Sequence, residues 1–231
     1  MCGRLNVTDD EAVRGLCEQL GLPFAPNPSP ERFVRAAQNV WILLQDQIQP
    51  RWCSATWWLL LDKVRNEDGS SSFKPSRYTS FNTRSDKLNV KGSAGYHSFR
   101  QQRCLVMVTG FGESQKTAEG VQYTDFRAEA GHCIVLGGLY RKWPQGQVSF
   151  SIITTPAHPK IAHYHQKASP LMLPQSVETL LPWLDPTFSD VEYFAALLEQ
   201  PLLPQSLIAQ AIDKPSSYET IAEPVFVPKD Q

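Results

Sequence analysis

The sequence predicts an α+β fold in a single domain spanning residues 1–231: a curved mixed β-sheet, barrel-like at its core, with peripheral helices. Three observations predict it. The middle of the chain is a succession of short apolar runs rich in branched and aromatic residues, and the last third switches to helical spacing. Strands and helices do not alternate, which argues against a βαβ architecture. The 231 residues, 42% hydrophobic and 19% charged, suffice for one substantial core and are too apolar for a disordered chain.

Taken in order, Thr8-Asp9-Asp10-Glu11 reads as a capping box opening a helix. Val13, Leu16, Cys17 and Leu20 then recur at helical spacing, and Gly21 with Pro23 closes it. A proline-rich loop follows from Pro23 to Pro30. Val40 to Leu44 and Trp57 to Leu61 read as buried strands, and Glu67 to Ser80 as a polar loop. Further strands are expected at Cys104 to Val108, Gln122 to Phe126, Cys133 to Leu139 and Val148 to Thr155. Helices are expected from Pro174 to Leu181 and from Asp190 to Leu198, the second behind a capping box, Ser189-Asp190-Val191-Glu192.

No run approaches the ~18 apolar residues of a membrane span, and the amino-terminal segment lacks the apolar stretch of a secretory signal. A soluble cytoplasmic protein with no membrane association is the expectation. Five widely spaced cysteines without a Cys-x-x-Cys pair argue against both a disulfide framework and a structural zinc site. Cys17, Cys53, Cys104 and Cys133 sit among apolar residues and read as small hydrophobes.

The net charge of −1 conceals an asymmetry. From Glu178 onward nine acidic residues face only Lys214 and Lys229, so the first 177 residues hold 20 basic and 14 acidic side chains, a balance of +6. Arg84, Lys87, Lys91, Arg100 and Arg103 crowd one stretch against Asp86 alone. That stretch suits a phosphate-binding groove, and equally a solvated loop.

Cys2 is the residue with unusual chemistry. Loss of Met1 would leave a 1,2-aminothiol, which condenses with an aldehyde to an imine and then closes a thiazolidine ring. The α-amine titrates near ~7.7–8.0, so roughly a tenth of it is nucleophilic at pH 7. Many chains begin Met-Cys, so this feature alone decides nothing. Three further clusters accompany it: Asn82-Thr83-Arg84, Gly110-Phe111-Gly112-Glu113, and His163-Tyr164-His165 ahead of Pro170-Leu171-Met172-Leu173. His163 and His165 have no third metal ligand at a favourable spacing, so no metal is expected.

In this order, from Cys2 to Leu173, the clusters resemble the SRAP (SOS response-associated peptidase) family. Its pattern is Met-Cys-Gly-Arg, Asn-x-Arg, Gly-Phe-x-Glu after a strand, and a histidine shortly before proline and an apolar strand. The resemblance implies a domain that recognises abasic sites in single-stranded DNA, forms a covalent DNA–protein crosslink, and needs no cofactor. It also implies roles. Cys2 supplies amine and thiol, and Asn82 holds the Cys2 end or the opened sugar by hydrogen bonds. Arg4 and Arg84 clasp phosphates. Glu113 shuttles a proton at the amine or the sugar hydroxyl and helps reopen the ring. His165 is the acid or base for sugar opening, with His163 as the alternative. An imine at C1′ acidifies the C2′ proton, so β-elimination is an available side path.

Three departures from the pattern stand out. Gly112 and Ser114 occupy the places of two aromatics in the usual Gly-Phe-Tyr-Glu-Trp. His165-Gln166-Lys167-Ala168-Ser169-Pro170 is one residue longer than His-x-Arg-Met-Pro and carries lysine for arginine. Trp52-Cys53-Ser54-Ala55-Thr56 stands for Trp-Gly-Leu-x-Pro. Two other functions compete: a cysteine peptidase confined to self-processing, which would remove Met1, and a non-covalent single-strand-binding module using Trp41, Trp52, Trp57, Trp58 and Phe81. A monomer acting at the nucleoid is the expectation under the first reading.

Overall fold

The structure, a computed structural model, describes residues 3–7, 11–24, 31–46, 48–130 and 132–231. The chain opens with strand β1 (Arg4–Val7) and helix α1 (Glu11–Gln19), then β2 (Glu31–Arg35), β3 (Asn39–Gln45), β4 (Pro50–Thr56), β5 (Leu61–Arg65) and β6 (Ser71–Pro75). Strand β7 (Asn82–Arg84) and helix α2 (Tyr96–Gln101) lead into β8 (Arg103–Val108), β9 (Gly110–Thr117), β10 (Gly120–Ala128) and β11 (Ile134–Lys142). Strands β12 (Val148–Thr155) and β13 (Ser169–Pro170) follow. Then come α3 (Val177–Leu184), a 3-10 turn over Val191–Phe194 continuing as α4 (Ala195–Glu199), β14 (Leu207–Ile212) and β15 (Val225–Val227).

Five strands close on themselves in the order β11, β8, β3, β4, β12, with β12 pairing back onto β11 through Gly138↔Ile152 to Lys142↔Val148. The closing contact between β4 and β12 is parallel, at Ser149↔Thr56. Closure explains the continuous apolar runs of the sequence. Ile42, Leu44, Val106, Leu136 and Ile152 pack into one core that includes Leu5, Phe111 and Phe126 of a second sheet. Their strand neighbours Leu43, Leu105, Val135 and Ile153 pack on the other side, beneath α1, α3 and α4 with Phe99, Trp183 and Phe194. Strands buried on both faces lose the alternation of a half-exposed sheet. The second sheet is antiparallel, ordered β15, β14, β10, β9, β1, β2.

The fold is therefore α+β and barrel-like with peripheral helices, as the sequence predicts. Helix α1, strands β3, β8, β10, β11 and β12, and the two late helices lie where expected, within a few residues. The Thr8–Asp10 part of the first capping box and most of the Pro23–Pro30 loop lie outside the described residues. Ser189 to Glu192 caps nothing: Asp190 precedes the 3-10 turn without a side-chain capping bond.

Two expectations are corrected. Trp57 to Leu60 is not a strand, because Trp57 N–H bonds to Gln38 O and Leu59 N–H to Ser80 O as the chain leaves the barrel. Trp57, Leu59 and Leu61 are buried, so burial mimics a strand without a ladder. The Glu67–Ser80 segment is not all loop, since β6 pairs with β5 from Leu61↔Pro75 to Arg65↔Ser71. Cys17, Cys104 and Cys133 are buried outside any disulfide; burial pushes the Cys17 thiol up to about 11 and raises that of Cys104, so these two are poor nucleophiles. Cys53 is half-buried. Among the described residues, no helix is long and apolar enough to cross a membrane.

Candidate active site

A change of sheet sets the position of Glu113. Strand β8 belongs to the barrel, Thr109 is a one-residue joint, and β9 enters the second sheet. The joint is fixed by Thr109 N–H donating to Asn6 O and Ala128 N–H donating to Thr109 O. Gly110 is required here, because an added Cβ would lie 2.4 Å from the backbone oxygen of Phe126. Strand alternation then sends Phe111 and Glu113 inward and leaves Ser114 exposed on the opposite side. Glu113 is 2% exposed, and burial pushes its carboxyl up to about 7, against the opposing charge of Arg4.

His165 comes from the turn after β12 and is 7% exposed. Its Nδ1 lies 3.0 Å from the Ser114 carbonyl and 3.6 Å from Glu113 Oε2. A carbonyl oxygen only accepts, so Nδ1 carries the proton in that bond and Nε2 holds the lone pair of the neutral ring. Burial pushes the imidazole pKa down. Both groups are thus driven towards their neutral forms: a protonated carboxyl beside an unprotonated imidazole. His163 points elsewhere. It is exposed, its ring lies on Tyr164 at 3.7 Å, and its carbonyl accepts from Gln115.

Arg4 is not on this side. In β1 it pairs with Gly112, so its side chain leaves the opposite face of the sheet from Glu113. The guanidinium lies flat over Gly112, donating to the carbonyls of Glu113 (3.1 Å) and Thr124 (3.4 Å) beside the rings of Phe33 and Tyr123. At 8% exposure it braces the strand that holds Glu113 and presents no open fork for a phosphate. Next to it, Asn6 donates to the buried Asp125 (3.0 Å). An added Cβ on Gly112 would lie 2.5 Å from the Arg4 guanidinium. Gly112→Ala is therefore expected to displace Arg4 and cost about 1–3 kcal/mol, read as a lower urea midpoint at unchanged m-value.

Asn82 and Arg84 lie on β7, which pairs parallel with β12 at Ile152↔Asn82 and Thr154↔Arg84. The Asn82 side-chain oxygen is buried. Arg84 is exposed and forked onto Asp86 at 2.9 and 2.8 Å. A cleft of about 450 Å³ runs between this end of β7 and the segment after His165, bounded by Arg84, Thr154, Thr155, Lys167 and Ala168. The basic stretch is not one open face, since Arg103 is 2% exposed and Arg100 is folded onto Tyr96 and the Leu88 carbonyl. Cys2 lies outside the described residues.

Comparison with known proteins identifies the family and the fold. A family model described as SOS response associated peptidase (SRAP) matches residues 1–215. The chain belongs to the SRAP family. Solved structures with the same fold include a protein from Bordetella bronchiseptica (17% identity, TM-score 0.66, covering 92% of this chain and 100% of that one). A phage-related protein of the same organism aligns at 18% identity and TM-score 0.64, over 92% and 95% of the two chains. A protein from Bacteroides thetaiotaomicron aligns at 20% identity and TM-score 0.61, over 90% and 91%. A search of curated proteins returns no match.

Within the SRAP pattern, the departures acquire physical reasons. The Arg4 guanidinium fills the space a Gly112 side chain would take, so an aromatic here would require a different placement of Arg4. Ser114 contributes its carbonyl to His165, a role any residue fills. Lys167 keeps a cation at the mouth of the cleft. Sequence reasoning missed Ser114 as the group that sets the His165 tautomer, because a backbone contact carries no residue signature.

Proposed function

We propose that this SRAP domain crosslinks single-stranded DNA at abasic sites through Cys2. The observation that carries the reading is the buried pair of Glu113 and His165 next to the strand that begins at Arg4. Two residues of chain span at most about 7 Å, so connectivity tethers Cys2 to this end of β1. Arg4 pairs with Gly112, the residue before Glu113.

Removal of Met1 frees the Cys2 amine. The ring-opened abasic sugar presents its C1′ aldehyde, and the amine lone pair attacks C1′. Protonated Glu113 supplies the proton with which the carbinolamine hydroxyl leaves as water, and its carboxylate then takes the N–H proton, giving the imine. The Cys2 thiol then adds to the imine carbon, its proton passes to the nitrogen, and the thiazolidine closes with net loss of one water. His165 Nε2, the unprotonated nitrogen, accepts the C1′ hydroxyl proton as the C1′–O4′ bond breaks and returns a proton to O4′, leaving the aldehyde and a free hydroxyl. Asn82 is suited to hold the opened sugar. Arg84 and Lys167 line a cleft of the right sign for the flanking phosphates, Arg84 exchanging Asp86 for phosphate.

The test is incubation of the des-Met1 protein with an abasic single-stranded oligonucleotide, resolved on a denaturing gel without reductant. A shifted band is expected for the wild type and none for Cys2→Ala. Retention of DNA only on native gels, independent of the lesion, would favour a non-covalent binder. Release of Met1 with no crosslink would favour a self-processing peptidase.

A further inference from the structure

The turn that delivers His165 is tied down by residues far along the chain. The amides of Ile161 and Ala162 donate to His158 O (2.9 and 2.8 Å), and those of Tyr164 and His165 donate to Ile161 O (2.8 and 3.1 Å). The geometry of His165 therefore descends from His158 through one continuous set of bonds. His158 is itself fixed by Asp230, its Nε2 lying 2.9 Å from Oδ2. Lys160, two residues on, places Nζ 2.8 Å from Asp230 Oδ1 and donates to the carbonyls of Pro228 (3.0 Å) and Lys229 (2.9 Å). Asp230 is held in turn by Leu203, whose N–H donates to Oδ2 (2.8 Å) and whose carbonyl accepts the Asp230 N–H (2.9 Å).

His158 is an anchor. Its Nδ1 accepts the Lys160 N–H at 3.2 Å, so Nε2 carries the hydrogen given to Asp230. With both ring nitrogens occupied and 5% exposure, the imidazole has no lone pair for a substrate. His165 differs in that its Nε2 is not the nitrogen engaged with the Ser114 carbonyl. The family match ends at residue 215, so the carboxylate that grips this turn lies beyond the matched region.

We propose that Asp230 is a positioning residue for His165, holding the His158–His165 turn so that the His165 ring stays against Glu113 and the Ser114 carbonyl. This rests on the role given to His165 under the proposed function. Burial works against the Asp230 carboxylate, but the bonds from Lys160, the Leu203 amide and His158 outweigh it and hold its pKa down to about 2, so the clamp persists across the working pH range. The carboxylate ties His158 and Lys160 at the start of the turn to Leu203, while the Ser169 hydroxyl on the His158 N–H and the Gln115 side chain on His163 O and the Gln166 N–H hold it at other points.

The experiment measures the His165 ring nitrogens by NMR, amide exchange over residues 161–165, and crosslinking kinetics as a function of pH. Wild type, Asp230→Asn, Asp230→Glu and Lys160→Met are compared. In Asp230→Asn, the His165 nitrogens are expected to lose their fixed-tautomer signature, and exchange at Tyr164 and His165 to rise roughly 10-fold or more. Maximal crosslinking rate is expected to fall about 10-fold or more with half-saturating oligonucleotide unchanged. Asp230→Glu is expected to recover part of each effect, and Lys160→Met to show the same changes in smaller measure. A folded Asp230→Asn protein with wild-type His165 signals and exchange overturns the proposal. If Asp230→Asn does not fold, unchanged signals in Lys160→Met overturn it. If the wild type forms no crosslink, the proposed function fails while the NMR and exchange results still decide the role of Asp230.

Discussion

Glu113→Gln is expected to do two opposite things: slow crosslinking by about 10²-fold or more and make the protein more stable at pH 8. The rate effect follows from removing the carboxyl placed beside His165 to give up a proton near neutral pH, since glutamine keeps the shape and cannot ionise. The stability effect follows from the raised pKa. Displacement from 4.5 to about 7 means that the folded state binds the proton more tightly than the unfolded chain. Stability from this group is therefore full below about pH 4.5 and declines as pH rises towards 7. Above that, the ionised carboxylate costs on the order of 3 kcal/mol. Glutamine removes that cost. Thermal unfolding from pH 5 to 8.5 should show the variant's advantage growing with pH, and the crosslinking pH profile should lose its limb near 7. An equal stability difference at all pH values would place the carboxylate outside the buried site.

Arg103→Met is expected to be the most damaging single change to the fold. The Arg103 guanidinium is buried and donates to six backbone carbonyls: Phe99 (2.7 Å), Arg100 (3.1 Å), Pro182 (3.3 Å), Trp183 (2.9 Å), Asp185 (2.7 Å) and Phe188 (2.9 Å). It thereby closes the ends of both α2 and α3, where helix carbonyls have no partners of their own. Burial pushes its pKa down to about 10, so it remains charged at neutral pH. Methionine fills much of the volume but strands the carbonyls, a loss on the order of 4 kcal/mol or more. That corresponds to a fall in Tm of roughly 10 °C for a chain of this size. Arg103→Lys is expected to recover only part, because one ammonium with three donors cannot span six acceptors. A Tm unchanged in Arg103→Met would show that water serves these carbonyls equally well.

What the sequence made legible follows burial. Strands β3, β8, β11 and β12 are apolar on both faces and stand out as runs. Strand β4 is half-exposed along most of its length and reads less strongly than Trp57 to Leu61, whose burial comes from loop packing. Strands β1, β2, β9, β14 and β15 went unread: β1 and β9 carry Arg4, Asn6, Gly110, Gly112 and Glu113, polar or glycine positions imposed by the site and by the sheet crossing. The site residues were visible as types in order, which is how Glu113 and His165 were found. Their partition was not visible. That Arg4 lies on the far face of the sheet follows from its register with Gly112, and Arg103 disappears inside a stretch that reads as surface charge. Asp230 had no signature at all, because its grip on His158 spans 72 residues.

The central claim is that Cys2 amine and thiol together close a ring on an abasic aldehyde beside Glu113 and His165. Intact-mass and peptide mass spectrometry of the unreduced product tests it most directly. A single adduct is predicted, equal to protein plus DNA less one water, mapped to Cys2, inert to borohydride, and absent from Cys2→Ala. An adduct that appears only after reduction, or that maps to a lysine and survives in Cys2→Ala, would contradict it.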